Sequence, residues 1–174
     1  LDTAFGGPYL GFMATTAAMT RKLPGRIVGQ TTDVDGKTGY VLTLSAREQH
    51  IRREKASSNI CSNQALCAFT AGVYMAAMGE AGMKQCARLC VSKAHYFAAA
   101  LEKAGCPLKY KGEFFHEFVT EEADPDRRKK ILDALDAAGI LGGAEVDGGI
   151  LWCVTELASK AQLDRAAAIV KEVL

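Results

Sequence analysis

Cys86-Ala87-Arg88-Leu89-Cys90-Val91-Ser92-Lys93-Ala94-His95-Tyr96-Phe97-Ala98-Ala99-Ala100-Leu101 is the stretch on which the architecture of the chain turns. Cys86, Leu89, Cys90, Ala94, Phe97 and Leu101 recur at intervals of three and four, while Arg88, Ser92 and Lys103 fall on the opposite side. A period of 3.6 residues gathers the first set on one face, so the spacing predicts an amphipathic helix with a single buried stripe. Gly105 and Pro107 close it, because neither continues a helix.

Downstream of this helix, strand and helix patterns alternate. Phe114 to Thr120 predicts a strand, and Pro125 to Ala138 a helix with Ile131, Leu132 and Leu135 inward. Ile150 to Thr155 predicts a second strand. Ser159-Lys160-Ala161-Gln162 has the form of a capping box, opening a last helix that buries Leu163, Ala167, Val170 and Leu174. Helices against one face of a small sheet make an α+β domain. Upstream, Ser58 is the expected N-cap of a helix running to about Met78. That helix is apolar nearly all round and so expected to be buried, with Gly79 and Gly82 at its end. Ala46 to Lys55 predicts a short charged helix. Before it, Arg26 to Thr32 and Gly39 to Leu44 flank Asp35-Gly36, a strong hairpin-turn signal. The opening segment, Ala4 to Thr20, predicts a Gly6-Gly7-Pro8 turn and then a helix. The one shift of composition lies near Lys55.

Composition narrows the function classes. The 174 residues are 49% hydrophobic and 24% charged, which is enough apolar material for an ordinary folded domain and too much for a disordered one. A net charge of +1 gives no whole-molecule field to draw nucleic acid. The most apolar run, Ala65 to Met78, is broken by Thr70 and Gly72 and is too short to cross a bilayer. Leu1-Asp2-Thr3 carries neither an initiator Met nor a basic leader, so no signal peptide is expected, and the abrupt start is that of a piece of a longer chain. Cys61, Cys67, Cys86, Cys90, Cys106 and Cys153 form no CxxC pair, and His50, His95 and His116 are scattered, so no metal site is expected. Cys86 and Cys90 read as small apolar core side chains. A chain of this size needs no disulfide framework, which fits a reducing, cytoplasmic compartment.

The densest chemistry lies at Arg47-Glu48-Gln49-His50-Ile51-Arg52-Arg53-Glu54-Lys55-Ala56-Ser57-Ser58-Asn59-Ile60-Cys61. On a helix, Glu48 would reach Arg52 and His50 would reach Glu54 at i,i+4 spacing. Arg47, Arg53 and Lys55 are left without such a partner. Free cations beside the exposed N–H groups of a helix start suit a phosphate or carboxylate. A solvated charged helix capped by Ser58 explains the same pattern, and spacing alone does not separate the two.

The same fifteen residues closely resemble the signature of the P-protein of the glycine cleavage system. Phe5-Gly6-Gly7-Pro8-Tyr9-Leu10-Gly11-Phe12, Leu23-Pro24-Gly25-Arg26-Ile27-Val28-Gly29 and Leu151-Trp152-Cys153-Val154-Thr155-Glu156 resemble further stretches of it, so the match extends over essentially the whole chain. The Gly-Gly-Pro-Tyr form is nearer to subunit 1, the alpha subunit of the two-subunit bacterial heterotetramer, than to subunit 2.

The resemblance implies an aminotransferase-like fold of type I. Residues 1–60 would be the tail of a large pyridoxal-phosphate-transferase domain with its hairpin and linker, and 61–174 a smaller C-terminal α+β domain. Most of the large domain would lie upstream. It implies glycine decarboxylation with pyridoxal phosphate, and transfer of the aminomethyl group to the lipoyl arm of H-protein. Glycine, the H-protein and subunit 2 are the implied partners, with no nucleic acid and no membrane. The Schiff-base lysine is implied on subunit 2, so no catalytic residue is assigned here. Lys55 follows a charged run, whereas a nucleophilic lysine needs a desolvated pocket. Arg47, His50, Arg52, Arg53 and Asn59 become candidates for lining the cleft between subunits and positioning anionic groups. The Gly6-Gly7-Pro8 turn is expected against the partner subunit. A non-catalytic docking subunit that completes the site of subunit 2 is the alternative. Apolar surface left uncovered by the upstream domain would favour self-association.

Overall fold

The computed structural model of the chain describes residues 10–56 and 63–174. It divides into two compact units, residues 1–74 and 75–174. Helix and strand are mixed in both.

In the first unit, β1 (Ile27–Thr32) and β2 (Thr38–Thr43) pair antiparallel from Ile27 opposite Thr43 to Thr32 opposite Thr38. The predicted turn forms as its sequence requires. The Asp33 carboxylate accepts the N–H groups of Asp35 and Lys37 at 2.9 and 2.8 Å, and Gly36 takes φ of 77°. An aspartate that bonds the backbone two residues on, followed by glycine where φ is positive, is the inexpensive way to reverse a chain.

Other expectations for this unit give way. Gly6-Gly7-Pro8 lies outside the described residues, and among the described residues up to Thr20 the helix that forms is a 3-10 helix, Ala17–Lys22. The charged helix expected over 46–55 is three short turns instead: 3-10 at Ser45–Arg47, α1 at Gln49–Arg52 and 3-10 at Arg53–Lys55. Glu48 is extended, and Leu44 and Arg53 take φ of 55° and 52°, so no continuous i→i+4 ladder can form.

The long helix α2 (Ala65–Ala104) is broken at Gly79, whose φ of 60° and ψ of 179° only glycine adopts freely. Ser58 lies outside the described residues. The described helix begins at Ala65, whose N–H is taken by the Asn63 side chain at 3.0 Å. The helix start expected to be buried is exposed. Leu66, Phe69 and Val73, spaced three and four apart, stand at 67%, 70% and 55% exposure. Apolar composition creates the demand for a covering surface, and no described residue supplies one.

The second unit follows the pattern more closely. The part of α2 beyond the kink buries Cys90, Ala94, Phe97 and Leu101 of the predicted stripe, and Ala98 besides, with Leu89 half-buried and Arg88, Ser92 and Lys103 outward. Cys86 is only half-buried. The strands β3 (Glu117–Glu121), β4 (Ala144–Val146) and β5 (Gly149–Cys153) form an antiparallel sheet in the order β3-β5-β4. The first of these starts three residues later than expected, and β4 had no sequence signal, being three residues long. Phe118 and Thr120 face Trp152 and Ile150 across the β3–β5 pair, and all four point inward. Helices α3 (Pro125–Ala137) and α4 (Lys160–Val173) complete the core with Ile131, Leu135, Leu163, Ala166, Ala167 and Val170. Leu174, expected inside, is 38% exposed because the helix ends at Val173.

Both helices start as capping chemistry dictates. The Asp124 carboxylate accepts from Asp126 N–H at 3.0 Å with Pro125 at the first position. Ser159 Oγ accepts from Gln162 N–H at 3.2 Å while Gln162 Oε1 accepts from Ser159 N–H at 2.8 Å, the predicted capping box.

One buried polar pair sits in this core: Trp152 Nε1 donates to Thr120 Oγ1 at 2.8 Å. Thr120→Val keeps the shape and removes the acceptor, leaving the indole N–H unsatisfied. The unfolding free energy is expected to fall by about 1–3 kcal/mol, read from the urea midpoint. An unchanged midpoint would show that the pair contributes nothing to stability.

Candidate functional site

The segment carrying the candidate residues is held by a hydrogen-bond pattern that spacing did not reveal. Arg47, expected to be a free cation, turns back on the loop before β1. Its Nη2 donates to the Gly25 carbonyl at 2.6 Å and its Nη1 to the Leu23 carbonyl. Its Nε is buried with no partner among the described residues. Planar guanidinium groups suit such a bridge, since their donors diverge at fixed angles. Glu48 does not reach Arg52. It stands 3.8 Å from Arg26, and Arg52 Nε donates to the Ala46 carbonyl at 3.1 Å instead. The His50–Glu54 pair does not form either.

Of the candidates, Arg47 and Arg52 are therefore committed to backbone carbonyls of their own unit. The side chains of His50 and Arg53 are exposed and make no hydrogen bond or ion pair with a described residue, as is also true of Lys55. Asn59 lies outside the described residues. Arg53 is unusual in its backbone as well, with φ of 52° and ψ of −124°. A non-glycine residue held there costs about 1–3 kcal/mol, and such strain gathers at functional sites. The exposed face thus carries one imidazole and the guanidinium of a residue with a strained backbone, on a segment that Arg47 fastens to the 23–25 loop.

A covalent cofactor site is a separate requirement, and the described residues do not meet it. An imine-forming lysine needs to lose its proton in a desolvated pocket. No described lysine is buried. The two that are half-buried, Lys93 and Lys109, donate to the carbonyls of Glu156 and Asp147. Cys106 is no better placed as a nucleophile: burial, with Glu122 nearby, pushes its thiol up to about 11.

The second unit also holds a hollow that the sequence did not announce, of about 330 Å³. Phe97, Leu141, Trp152, Leu157 and Leu163 line it, and its main polar side chain, Gln162, is occupied in the capping box. Its walls suit apolar contact and not anion binding.

A mixed helix-and-strand chain with this signature segment defines a class, and sequence comparison identifies it. The sequence model of the glycine cleavage system P-protein matches residues 1–170. The chain belongs to the glycine cleavage system P-protein family. It is 50% identical to a probable glycine dehydrogenase (decarboxylating) subunit 1 of Desulfitobacterium hafniense, with 97% of this chain and 39% of the relative aligned. It is 49% identical to the protein of the same description from Geobacillus kaustophilus, over 95% of this chain and 38% of the relative. A crystal structure of glycine decarboxylase (P-protein) of the glycine cleavage system, in inhibitor-bound form, matches with a TM-score of 0.87 at 39% identity. That match covers 100% of this chain and 41% of the other. The chain thus spans about two fifths of the length of the curated relatives it matches. Among the described residues, no helix is long and apolar enough to cross a membrane.

The two arginines separate by stability. Arg47→Ala should lower the unfolding free energy by about 1.5–3 kcal/mol, the range for hydrogen bonds to a charged group. Arg53→Gly should raise it by about 1 kcal/mol, because strain at positive φ is released. Equal effects of the two substitutions in chemical denaturation would contradict these assignments.

Proposed function

We propose that this chain is part of an enzyme that decarboxylates glycine with pyridoxal phosphate and passes the aminomethyl group to the lipoyl arm of H-protein. The observation that carries the proposal is the end-to-end match to the P-protein family, at about 50% identity to subunit 1 proteins. Fold type I, with residues 1–60 as the tail of a large domain and 61–174 as the small domain, belongs to the same proposal. So do a heterotetramer with subunit 2 and a cytoplasmic location.

Within that assembly the role of this chain is positioning. Pyridoxal phosphate, when bound, supplies the electron sink that glycine decarboxylation needs. The covalent lysine is assigned to subunit 2, consistent with the engagement of Lys93 and Lys109. Arg53 and His50, whose side chains are exposed and unengaged, are assigned to grip a carboxylate or phosphate at the subunit cleft, and Asn59, outside the described residues, is assigned the same role. Arg47 and Arg52 act one step back, holding the segment in place. Fixing the anionic group this way lowers the entropic part of the barrier.

A non-catalytic docking role is favoured by a different observation. Leu66, Phe69 and Val73 present an uncovered apolar stripe, the kind of surface that seeks a protein partner. Taken alone, the 174 residues should self-associate through it, and sedimentation velocity should show the average mass rising with concentration. A monomer at every concentration would count against that surface being adhesive.

Activity separates the two roles. Release of carbon dioxide from carboxyl-labelled glycine should require both the full gene product and subunit 2. Arg53→Ala should raise KM for glycine or the Kd for cofactor about tenfold or more, the loss of one charge-assisted hydrogen bond. Full activity of subunit 2 alone would leave this chain as scaffold. Unchanged kinetics with unchanged assembly would remove Arg53 from the site.

A further inference from the structure

Cys86 and Cys90 stand one turn apart on α2, and the loop after β5 brings Glu156 against them. Cys90 Sγ donates to Glu156 Oε2 at 3.4 Å. The two sulfurs and a carboxylate oxygen all lie within 4.8 Å of one another. Cys90 is 6% exposed, and Cys86 and Glu156 are half-buried. We propose that Cys86, Cys90 and Glu156 form a binding site for a thiophilic divalent cation of the zinc type, with a fourth position left open.

The geometry suits such an ion. With Zn–S of about 2.3 Å and Zn–O of about 2.0–2.2 Å, a tetrahedron has an S···O edge of about 3.5 Å. The 3.4 Å between Cys90 and Glu156 already has that length. Residues four apart on a helix project from the same face, which is how one turn supplies two ligands. The third ligand comes from a separate element, 66 residues from Cys90, so the ion would tie α2 to the loop leading into α4.

Charge is balanced locally. Binding displaces one proton from each thiol, leaving two thiolates and one carboxylate around a doubly positive ion, a net charge of −1. Lys93, whose Nζ donates to the Glu156 carbonyl, supplies the neighbouring positive charge. Burial, and then the hydrogen bond to Glu156, raises the Cys90 thiol above its ordinary value. Without an ion, the Cys90 S–H donates to the Glu156 carboxylate across the gap.

A second group, His116, Glu117 and Cys153, is also close enough to share an ion. Two of its three members are exposed, and it serves here as the control.

The test uses the full gene product, stripped with chelator and titrated with cobalt(II) and cadmium(II). One equivalent should produce a thiolate-to-metal charge-transfer band, release two protons, and protect Cys86 and Cys90 from alkylation, mapped by mass spectrometry. C86S and C90S should abolish the band, and E156Q should weaken binding at least tenfold. C153S should leave it unchanged. Zinc should raise the melting temperature of the parent protein and not that of C86S. Alkylation mapping needs no substitution and so holds even where a variant folds poorly. Absence of the band at one equivalent would overturn the proposal. So would its persistence in C86S, its loss in C153S, or alkylation of Cys86 and Cys90 at the metal-free rate. A hydrogen-bonded thiol–carboxylate pair would then be all that the cluster is.

Discussion

Burial of one face of α2 against the β3–β5 pair is the constraint from which the second unit follows. Phe97 meets Phe118 and Trp152 edge-on, with ring centroids 6.1 and 5.5 Å apart. Edge-to-face contacts fix orientation as well as proximity, since each ring sets its positive rim to the face of another. Once Trp152 is placed, its indole N–H needs a partner, and Thr120, directly across from Ile150 on the same inward face, provides it. Ile131, Leu135, Leu163 and Val170 then close the layer from α3 and α4. An aromatic helix residue, two strands and one hydroxyl thus determine where five elements sit.

The first unit obeys a different kind of constraint. Its hairpin has mostly exposed side chains, and its candidate segment has no helix long enough to hold itself. Backbone carbonyls held by arginines take the place of a core. Arg47 reaches back more than twenty residues to Leu23 and Gly25, and Arg52 closes a shorter loop on Ala46. A cation used this way acts as structure, whereas the side chains of His50, Arg53 and Lys55 are exposed and engage no described residue.

This division matters for the family chemistry. In the proposed function a small zwitterion is to be oriented, and such orientation requires a frame stiffer than the groups that touch the ligand. Arg47 and Arg52 tie the segment to backbone carbonyls, while Arg53 has a strained backbone and an exposed side chain. The same logic, with a different chemistry, applies to the thiols. Helix α2 displays Cys86 and Cys90 side by side, but only the return of Glu156 turns two core-like sulfurs into three convergent ligands.

Much of the second unit was legible in the sequence because its signals are local. The three-four spacing from Cys86 to Leu101, the capping box at Ser159 and the proline-led start of α3 depend on residues within a turn or two of one another. The Asp35-Gly36 turn was legible for the same reason. The family was legible because a long ordered run such as 47–61 carries information that no single motif does. Tertiary structure alone decided the fate of the cations and the burial of the apolar helix start. Arg47 was expected to be free because its partners lie beyond the reach of any i,i+4 rule, and Glu48 took Arg26 for the same reason. Leu66, Phe69 and Val73 are exposed because hydrophobicity specifies only that a residue seeks cover, and cover depends on what the rest of the fold brings to it.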